Sequence, residues 1–293
     1  MEREEVKLSE ESYAKVNLFL HVLGKRKDDY HNIYTLFCAV DLCDTITLSL
    51  ADRQHIVCNR TDVPVNEENI IVKVDKILRD EYGLKPYFKI ELHKVIPVGA
   101  GLGGGSSNAA AYLRLVNKFI GMGLCTAEMH KILERVGSDT CFFLYPPIAL
   151  GEGRGEKITP LKNMPKLWIL IVNPDIFISA AAVYSGKKLR LTSEALLPKI
   201  PNSLNTDEIA AMMTNGLEPA VFDSYPLTAE LCASLENAGA LKAIVSGSGS
   251  SVFGVFRDRM NRDAAYNIIC GQYPGCKIFK TASLDKISNT DVV

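Results

Sequence analysis

Residues 12–23, SYAKVNLFLHVL, alternate with a period of two. Ala14, Val16, Leu18, Leu20 and Val22 fall on one side, and Tyr13, Lys15, Asn17, Phe19 and His21 on the other. Successive side chains of an extended chain point to opposite faces. The pattern therefore predicts a strand with one aliphatic face and one face mixing polar and aromatic groups, as a strand lining a site does. Further strands are predicted at 34–41, 45–50, 54–58 and 87–95. Asn69, Ile70, Val72, Val74, Ile77 and Leu78 fit helical spacing and predict a helix over 68–81. After a glycine-rich stretch, a second helix is expected from Ser106 to Asn117. Thr126, followed by Glu128 and Met129, reads as the cap of a third helix running to Val136. The segment PIALGEGRGEKI (147–158) predicts a hairpin with a glycine-laced turn.

Beyond Pro160 the pattern restarts with a strand at 167–173. A polar region with helices near 181–187 and 205–215 follows, then a helix at 226–238, strands at 241–246 and 252–256, a helix at 259–270 and a strand near 276–280. The last residues, SLDKISNTDVV, are polar and are expected to fray. Strands and helices intermix without a regular βαβ beat. The expected class is α+β in two units dividing near residue 158, the first spanning 1–158 and the second 159–293.

Composition narrows the function classes. Hydrophobic residues make up 47% of the 293 and charged residues 23%, enough apolar material for a core. The net charge of −1, with basic residues spread along the chain, gives no footprint for nucleic acid. The start, MEREEVKLSEES, shows no apolar signal region, and the apolar stretch Leu167–Val172 is far too short for a membrane span. Eight scattered cysteines without a CxxC pair are expected to be reduced, mostly buried thiols. A cytoplasmic protein is expected.

The strongest local signal is PVGAGLGGGSSNAAA, Pro97–Ala111. Gly99, Gly101, Gly103, Gly104 and Gly105 precede two serines and a helix-forming run. Without Cβ atoms, backbone N–H groups can converge on one point, and the helix N-terminus behind them adds free donors and a positive dipole end. That is a phosphate cradle. Gly99–Gly104 matches GxGxxG, but a dinucleotide-binding unit needs a second strand ending in an acid about 20 residues on. Residues 119–136 instead read as a loop and a helix, and no lysine follows the glycines as a Walker-type loop requires.

This segment resembles the second motif of the GHMP kinases, and its GGGSSNAA form resembles in particular the diphosphocytidyl-methylerythritol kinases. AKVNLFL (14–20) with Asp29-Tyr30-His31 resembles that family's first motif. GSDTCFFL (137–144) resembles its catalytic segment, EGRGE (152–156) fits as well, and SGSGSS (246–251) resembles the third motif. Four motifs occur in order between about residues 12 and 256.

The resemblance implies a ribosomal-S5-like N-terminal domain and a ferredoxin-like C-terminal domain with the site between them. It implies transfer of the ATP γ-phosphoryl group to the 2-hydroxyl of a small cytidyl alcohol, within the non-mevalonate isoprenoid route. Lys15 and Asp139 become the catalytic pair. Pro97, Gly99, Gly101, Leu102, Gly103, Gly104, Gly105, Ser106 and Ser107, with Asn69, Lys94 and Asn108, become the ATP site. Asn17, Tyr30, His31, Tyr184, Ser248 and Gly249 become the substrate site, with Tyr30 and Tyr184 as stacking aromatics. Without the resemblance, Asp139 and Asn69 would read as helix caps and Lys94 as a surface charge. Mg2+ is expected with ATP, with Ser106 or Ser107 as the nearest groups and no acidic ligand evident. Ser138, Thr140 and Cys141 replace the family's Ala, Val and Pro, and Ser179-Ala180 lacks its second hydroxyl. A GHMP kinase acting on another alcohol is the closest alternative. A nucleotide-binding regulator without catalysis is the other, disfavoured by the presence of Lys15 and Asp139.

Overall fold

The alternation seen at 12–23 continues in both directions, and the first strand, β1, runs Lys7–Lys25. The computed structural model describes residues 6–162, 164–186, 188–201, 203–286 and 290–292. β1 turns into β2 (His31–Ala51), and the two pair antiparallel along most of their length. There follow β3 (His55–Cys58), α1 (Ile70–Tyr82), β4 (Tyr87–His93), α2 (Gly104–Ile120), α3 (Thr126–Leu133) and a 3-10 turn at Cys141–Leu144. The hairpin β5 (Ile148–Gly153) and β6 (Lys157–Pro160) comes next. The later elements are β7 (Trp168–Asn173), α4 (Ala180–Tyr184), α5 (Thr206–Met212), β8 (Thr214–Asn215), α6 (Glu218–Ser224) and α7 (Pro226–Asn237). They are followed by β9 (Lys242–Val245), β10 (Val252–Phe256), α8 (Arg259–Gln272), β11 (Lys277–Ala282) and β12 (Thr290–Val292).

One sheet has the order β12-β1-β2-β4-β3, with β5 and β6 continuing from β2 and β8 beside β1. The other is antiparallel, in the order β11-β7-β10-β9. Ile71, Val74 and Leu78 of α1 and Ala109–Ala111 of α2 pack on Ile46, Leu48, Phe88 and Ile90 of the first sheet. Each fully buried aliphatic side chain there contributes roughly 1.5–3 kcal/mol. The aliphatic face of β1, through Ala14, Val16 and Leu18, packs with Ile169, Ile171, Ile244 and Phe253 of the second sheet. The site strand is therefore covered on its back by the second sheet, and its polar face is turned to the glycine-rich loop.

Several expectations are corrected. The strands read at 34–41 and 45–50 are one strand, because Asp41 and Leu42 bulge out where Tyr13 pairs with Cys43 and Ala14 with Val40. A second irregularity between Asn17 and Phe19 breaks the alternation, and Phe19 joins the buried core. The helix expected through 215 stops at Met212; Thr214–Asn215 is instead a short strand parallel to β1, and α6 was not foreseen. The cap of α3 is Cys125, whose N–H donates to Glu128 at 2.8 Å, rather than Thr126. The helix expected at 181–187 spans Ala180–Tyr184, and Lys187 lies outside the described residues. Thr290–Val292, expected to fray, pairs antiparallel with Leu8–Glu10, since a backbone ladder does not require apolar side chains. All eight cysteines are free thiols, but only Cys38, Cys141 and Cys232 are buried.

Candidate active site

The glycine-rich loop enters α2 through three residues with left-handed backbone, Gly99, Gly101 and Gly103, at φ of 62°, 75° and 69°. All three also stand where a Cβ would crowd a neighbour, the one on Gly99 lying 2.6 Å from the Phe177 ring. A Cβ on Gly101 would stand 2.0 Å from the Ser246 carbonyl oxygen, and one on Gly103 would stand 2.9 Å from Lys15 Cγ. The loop is pinned by Ser246 Oγ donating to the Gly101 carbonyl at 2.9 Å, by the Ser251 N–H donating to Ala100 at 3.2 Å, and by the Lys15 N–H donating to Leu102 at 2.9 Å. Gly103 is the N-cap of α2 and has no side-chain cap hydrogen bond, which leaves first-turn amides open as donors.

On the polar face of β1, Lys15 and Asn17 project together, as their spacing predicts. Lys15 Nζ, on a residue only 2% exposed, donates to Asn17 Oδ1 at 2.7 Å and to the Gly101 carbonyl at 3.0 Å. It also pairs with Asp139 Oδ2 at 3.1 Å and lies 5.6 Å above the Phe37 ring. Asn17 Nδ2 donates to Thr35 Oγ1 at 2.8 Å, and Thr35 Oγ1 donates to the Phe19 carbonyl at 2.7 Å. Asp139 sits on a turn held by Thr140, whose hydroxyl lies within hydrogen-bond reach of the carbonyls of Leu133 and Gly137. Thr140, a departure from the expected motif, thus supports the turn through its side chain. The Asp139 side chain keeps 31% of its surface exposed, so its carboxylate can meet a ligand.

Lys15, Asn17, Asp139, Gly101 and Gly103 line a cavity of about 980 Å³, together with Tyr30, His31, Tyr184 and Ser248. Gly249 does not line it; the Cβ position of Gly249 faces Val245 and Ile178 instead. Tyr184 stacks on His31 with ring centroids 5.3 Å apart, while Arg154 lies over Tyr30 at 5.0 Å. Each tyrosine ring therefore already has one contact of its own, Tyr184 with His31 and Tyr30 with Arg154. Burial, and then the Asp139 charge, pushes the Tyr184 phenol well up, so it remains a hydrogen-bond donor. Burial, reinforced by Lys25, lowers His31 from 6.5 and keeps its ring neutral at neutral pH.

A second cavity, of about 340 Å³, lies on the other side of the loop. Asn69, Lys94, Pro97, Gly99, Gly101, Leu102, Gly103, Gly104, Gly105, Ser106 and Asn108, all expected at one site, line it. Ser107 does not: its hydroxyl accepts from Ser12 at 2.9 Å and is buried. Gly101 and Gly103 line both cavities, so the loop is their common wall. Asn69 also caps α1, accepting from the Ile71 N–H at 2.9 Å, so its two readings hold together.

Lys94 is not a surface charge. It forms a buried ion pair with Asp44 and donates to Asn108 Oδ1 at 3.2 Å. Asp44 also accepts from the N–H groups of Val95 at 2.8 Å and Ile96 at 2.9 Å and from Asn108 Nδ2 at 2.9 Å. Sequence reasoning missed Asp44. Its signal was a carboxylate at the junction of two apolar runs that form a single strand, shared with Asp41 three residues before it.

Models of two families match the chain: the GHMP kinases N terminal domain over residues 69–146 and the GHMP kinases C terminal domain over residues 197–275. A 4-diphosphocytidyl-2-C-methyl-D-erythritol kinase of Geobacter sp. strain M21 is 42% identical over 248 residues, covering 84% of this chain and 88% of the relative. A crystal structure of 4-(cytidine 5'-diphospho)-2C-methyl-D-erythritol kinase superposes with a TM-score of 0.76 at 25% identity, covering 94% of this chain and 99% of that one. A homoserine kinase from Cytophaga hutchinsonii reaches 0.73 at 18% identity, over 100% of this chain and 99% of its own, a likeness of fold alone.

Proposed function

Since the chain belongs to the GHMP kinases, and within them to the 4-diphosphocytidyl-2-C-methyl-D-erythritol kinases, we propose that it transfers the γ-phosphoryl group of ATP to the 2-hydroxyl of that cytidyl alcohol through Lys15 and Asp139. The single observation that carries the reading is the pairing of Lys15 with Asp139 at 3.1 Å, against the loop wall common to the two cavities. A phosphoryl transfer needs two ligands meeting across such a wall, with charge stabilisation where they meet.

In this reading ATP occupies the smaller cavity, its phosphates on the open amides of the α2 N-terminus. The cytidyl alcohol occupies the larger one, with Tyr30, His31 and Tyr184 at the base and Asn17 and Ser248 at the wall. Asp139 accepts the hydroxyl proton, and the Lys15 ammonium steadies the oxygen as it gains negative charge. Lys15 is already oriented by Asn17 and Gly101, so little reorganisation accompanies the step. Among the described residues no group of three or more His, Cys, Asp or Glu side chains gathers to hold a metal. Mg2+ is expected to enter with ATP, where it would neutralise phosphate charge, and Ser106, which lines the smaller cavity, is the hydroxyl that could approach it.

The reading divides the chain near residue 158, after which β6 ends and β7 opens the second sheet. It takes the reaction to be cytoplasmic; no helix among the described residues is long and apolar enough to cross a membrane. The direct test incubates the protein with ATP, Mg2+ and the cytidyl alcohol and looks for the 2-phosphate by mass spectrometry. A panel containing mevalonate and homoserine runs beside it. ADP release with either of these, and none with the cytidyl alcohol, would move the chain to another branch of the family.

A further inference from the structure

The turn between β9 and β10, SGSGSS, walls the larger cavity through Gly247 and Ser248. A Cβ on Gly247 would stand 3.4 Å from both Lys15 Nζ and Asn17 Oδ1, so this backbone lies directly against the polar face of β1. Its serines tie its two ends to the glycine-rich loop, to Asn173 and to the Ile176 carbonyl. The backbone carbonyl of Gly247, at the point that meets β1, is held from a segment that lines neither cavity.

Asn215, at the end of β8, is 1% exposed, and its carboxamide is fully engaged. Its Nδ2 donates to the carbonyls of Val245 at 2.9 Å and Gly247 at 2.7 Å, and its Oδ1 accepts from the Leu217 N–H at 2.9 Å. Glu218 Oε1 accepts from the Val245 N–H at 3.0 Å, so one short segment grips Val245 by both backbone groups. That segment is itself fixed to β1: Asn215 pairs in parallel with Leu20, and the Gly216 N–H donates to the Leu20 carbonyl at 2.8 Å. The chain of contacts runs from the strand bearing Lys15 and Asn17, through Asn215, back to the turn facing those same side chains.

We infer that Asn215 is a positioning residue for the acceptor side of the site: its amide sets the distance between the 246–249 turn and Lys15–Asn17. The inference rests on the assignment of the larger cavity to the acceptor. Only a group with two N–H donors and one acceptor serves all three contacts, which is why a carboxamide stands there. Removing it leaves the Val245 and Gly247 carbonyls unpaired and buried, and the turn is free to shift.

The test compares Asn215→Ala, Asn215→Asp and Asn215→Ser with Leu217→Ala, a buried core change in the same segment that destabilises while leaving the Asn215 carboxamide in place. With Asn215→Ala the KM for the cytidyl alcohol should rise about tenfold, the loss of two modest hydrogen bonds, while the KM for ATP stays within about twofold. Asn215→Asp, which points a second acceptor at two carbonyls, should be worse, and Asn215→Ser, which keeps one donor, should be milder. Backbone amide exchange across 245–251 should accelerate in the Asn215 variants and not in Leu217→Ala. Equal changes in both KM values, or exchange matching that of Leu217→Ala, would overturn the inference. The exchange measurement needs no turnover, so it decides the role of Asn215 even if the wild-type protein leaves the cytidyl alcohol untouched, a result that would count against the proposed function instead.

Discussion

Lys15 and Asn17 were legible in the sequence because two residues on one strand share a face, and the structure brings them within 2.7 Å of each other. Asp139 was not legible from its neighbours, which read as a helix cap; only the motif resemblance singled it out. The hydroxyl of Thr140 that supports its turn was invisible, because hydrogen bonds to Leu133 and Gly137 depend on a turn that sequence spacing does not specify. Two variants test the pair. Asp139→Ala should lower kcat by roughly a hundred- to ten-thousand-fold, the usual worth of general base catalysis, with ATP binding by calorimetry preserved. Lys15→Met should also remove turnover while leaving Asp139 without its buried cation. Near-normal kcat in either would withdraw that residue's assignment.

Among the elements, the glycine-rich loop was the most legible, since five glycines within seven positions leave few other uses for the segment, although the helix expected from Ser106 begins at Gly104 and takes in the last two. Which glycine is indispensable was not. The structure separates Gly105, whose nearest neighbour to an added Cβ is 3.9 Å away, from Gly101, where the Ser246 carbonyl stands at 2.0 Å. Gly101→Ala should therefore abolish activity and lower the unfolding midpoint, whereas Gly105→Ala should leave the midpoint unchanged or raise it slightly, in line with alanine's better helix propensity. Thermal unfolding of both variants checks this, and equal losses would contradict the geometry. The segment β8–α6 was the least legible element. Its ladder is two residues long, and what fixes it is side-chain hydrogen bonding to a distant turn.

The same element carries a pH signature. Burial pushes the Glu218 carboxyl from 4.5 up to about 7, against the opposing Val245 N–H and the charges of Lys242 and Arg190. Above pH 7 the group is ionised in both folded and unfolded chains, and the burial cost is present. As pH falls from 7 towards 4.5, the folded protein takes up a proton that the unfolded chain does not, and stability rises. The span corresponds to roughly 3 kcal/mol. Glu218→Gln keeps an acceptor for Val245 and removes the titration. Urea midpoints should show the variant more stable than wild type at pH 8 and level with it at pH 5; parallel profiles would exclude the assignment.

Across the whole molecule, the α+β class and most element positions followed from periodicity, because long amphipathic runs record which face is buried. The crossings between distant elements did not, because they are made by polar side chains whose partners lie far apart in sequence. Asp44 on β2, Lys94 after β4, Asn108 on α2 and Ser12 on β1 form one buried network behind the glycine-rich loop. Lys94 lines the smaller cavity, yet its charge is already matched by Asp44. Lys94 can therefore offer a ligand an N–H contact but little net charge, and in the proposed reading the holding of phosphates falls on the amides of α2. Breaking the pair from one side leaves a buried ion alone, at a cost on the order of 3–5 kcal/mol. Asp44→Leu and Lys94→Met should each destabilise strongly in urea, Asp44→Leu the more because it also leaves the Val95 and Ile96 N–H groups and the Asn108 carboxamide without their acceptor. The double variant should recover the cost of the lone lysine charge but not that of these donors. If the double variant refolds the network's surroundings but ATP affinity drops only severalfold, phosphate binding rests on the loop; strictly additive losses would mean the two side chains act on the fold independently.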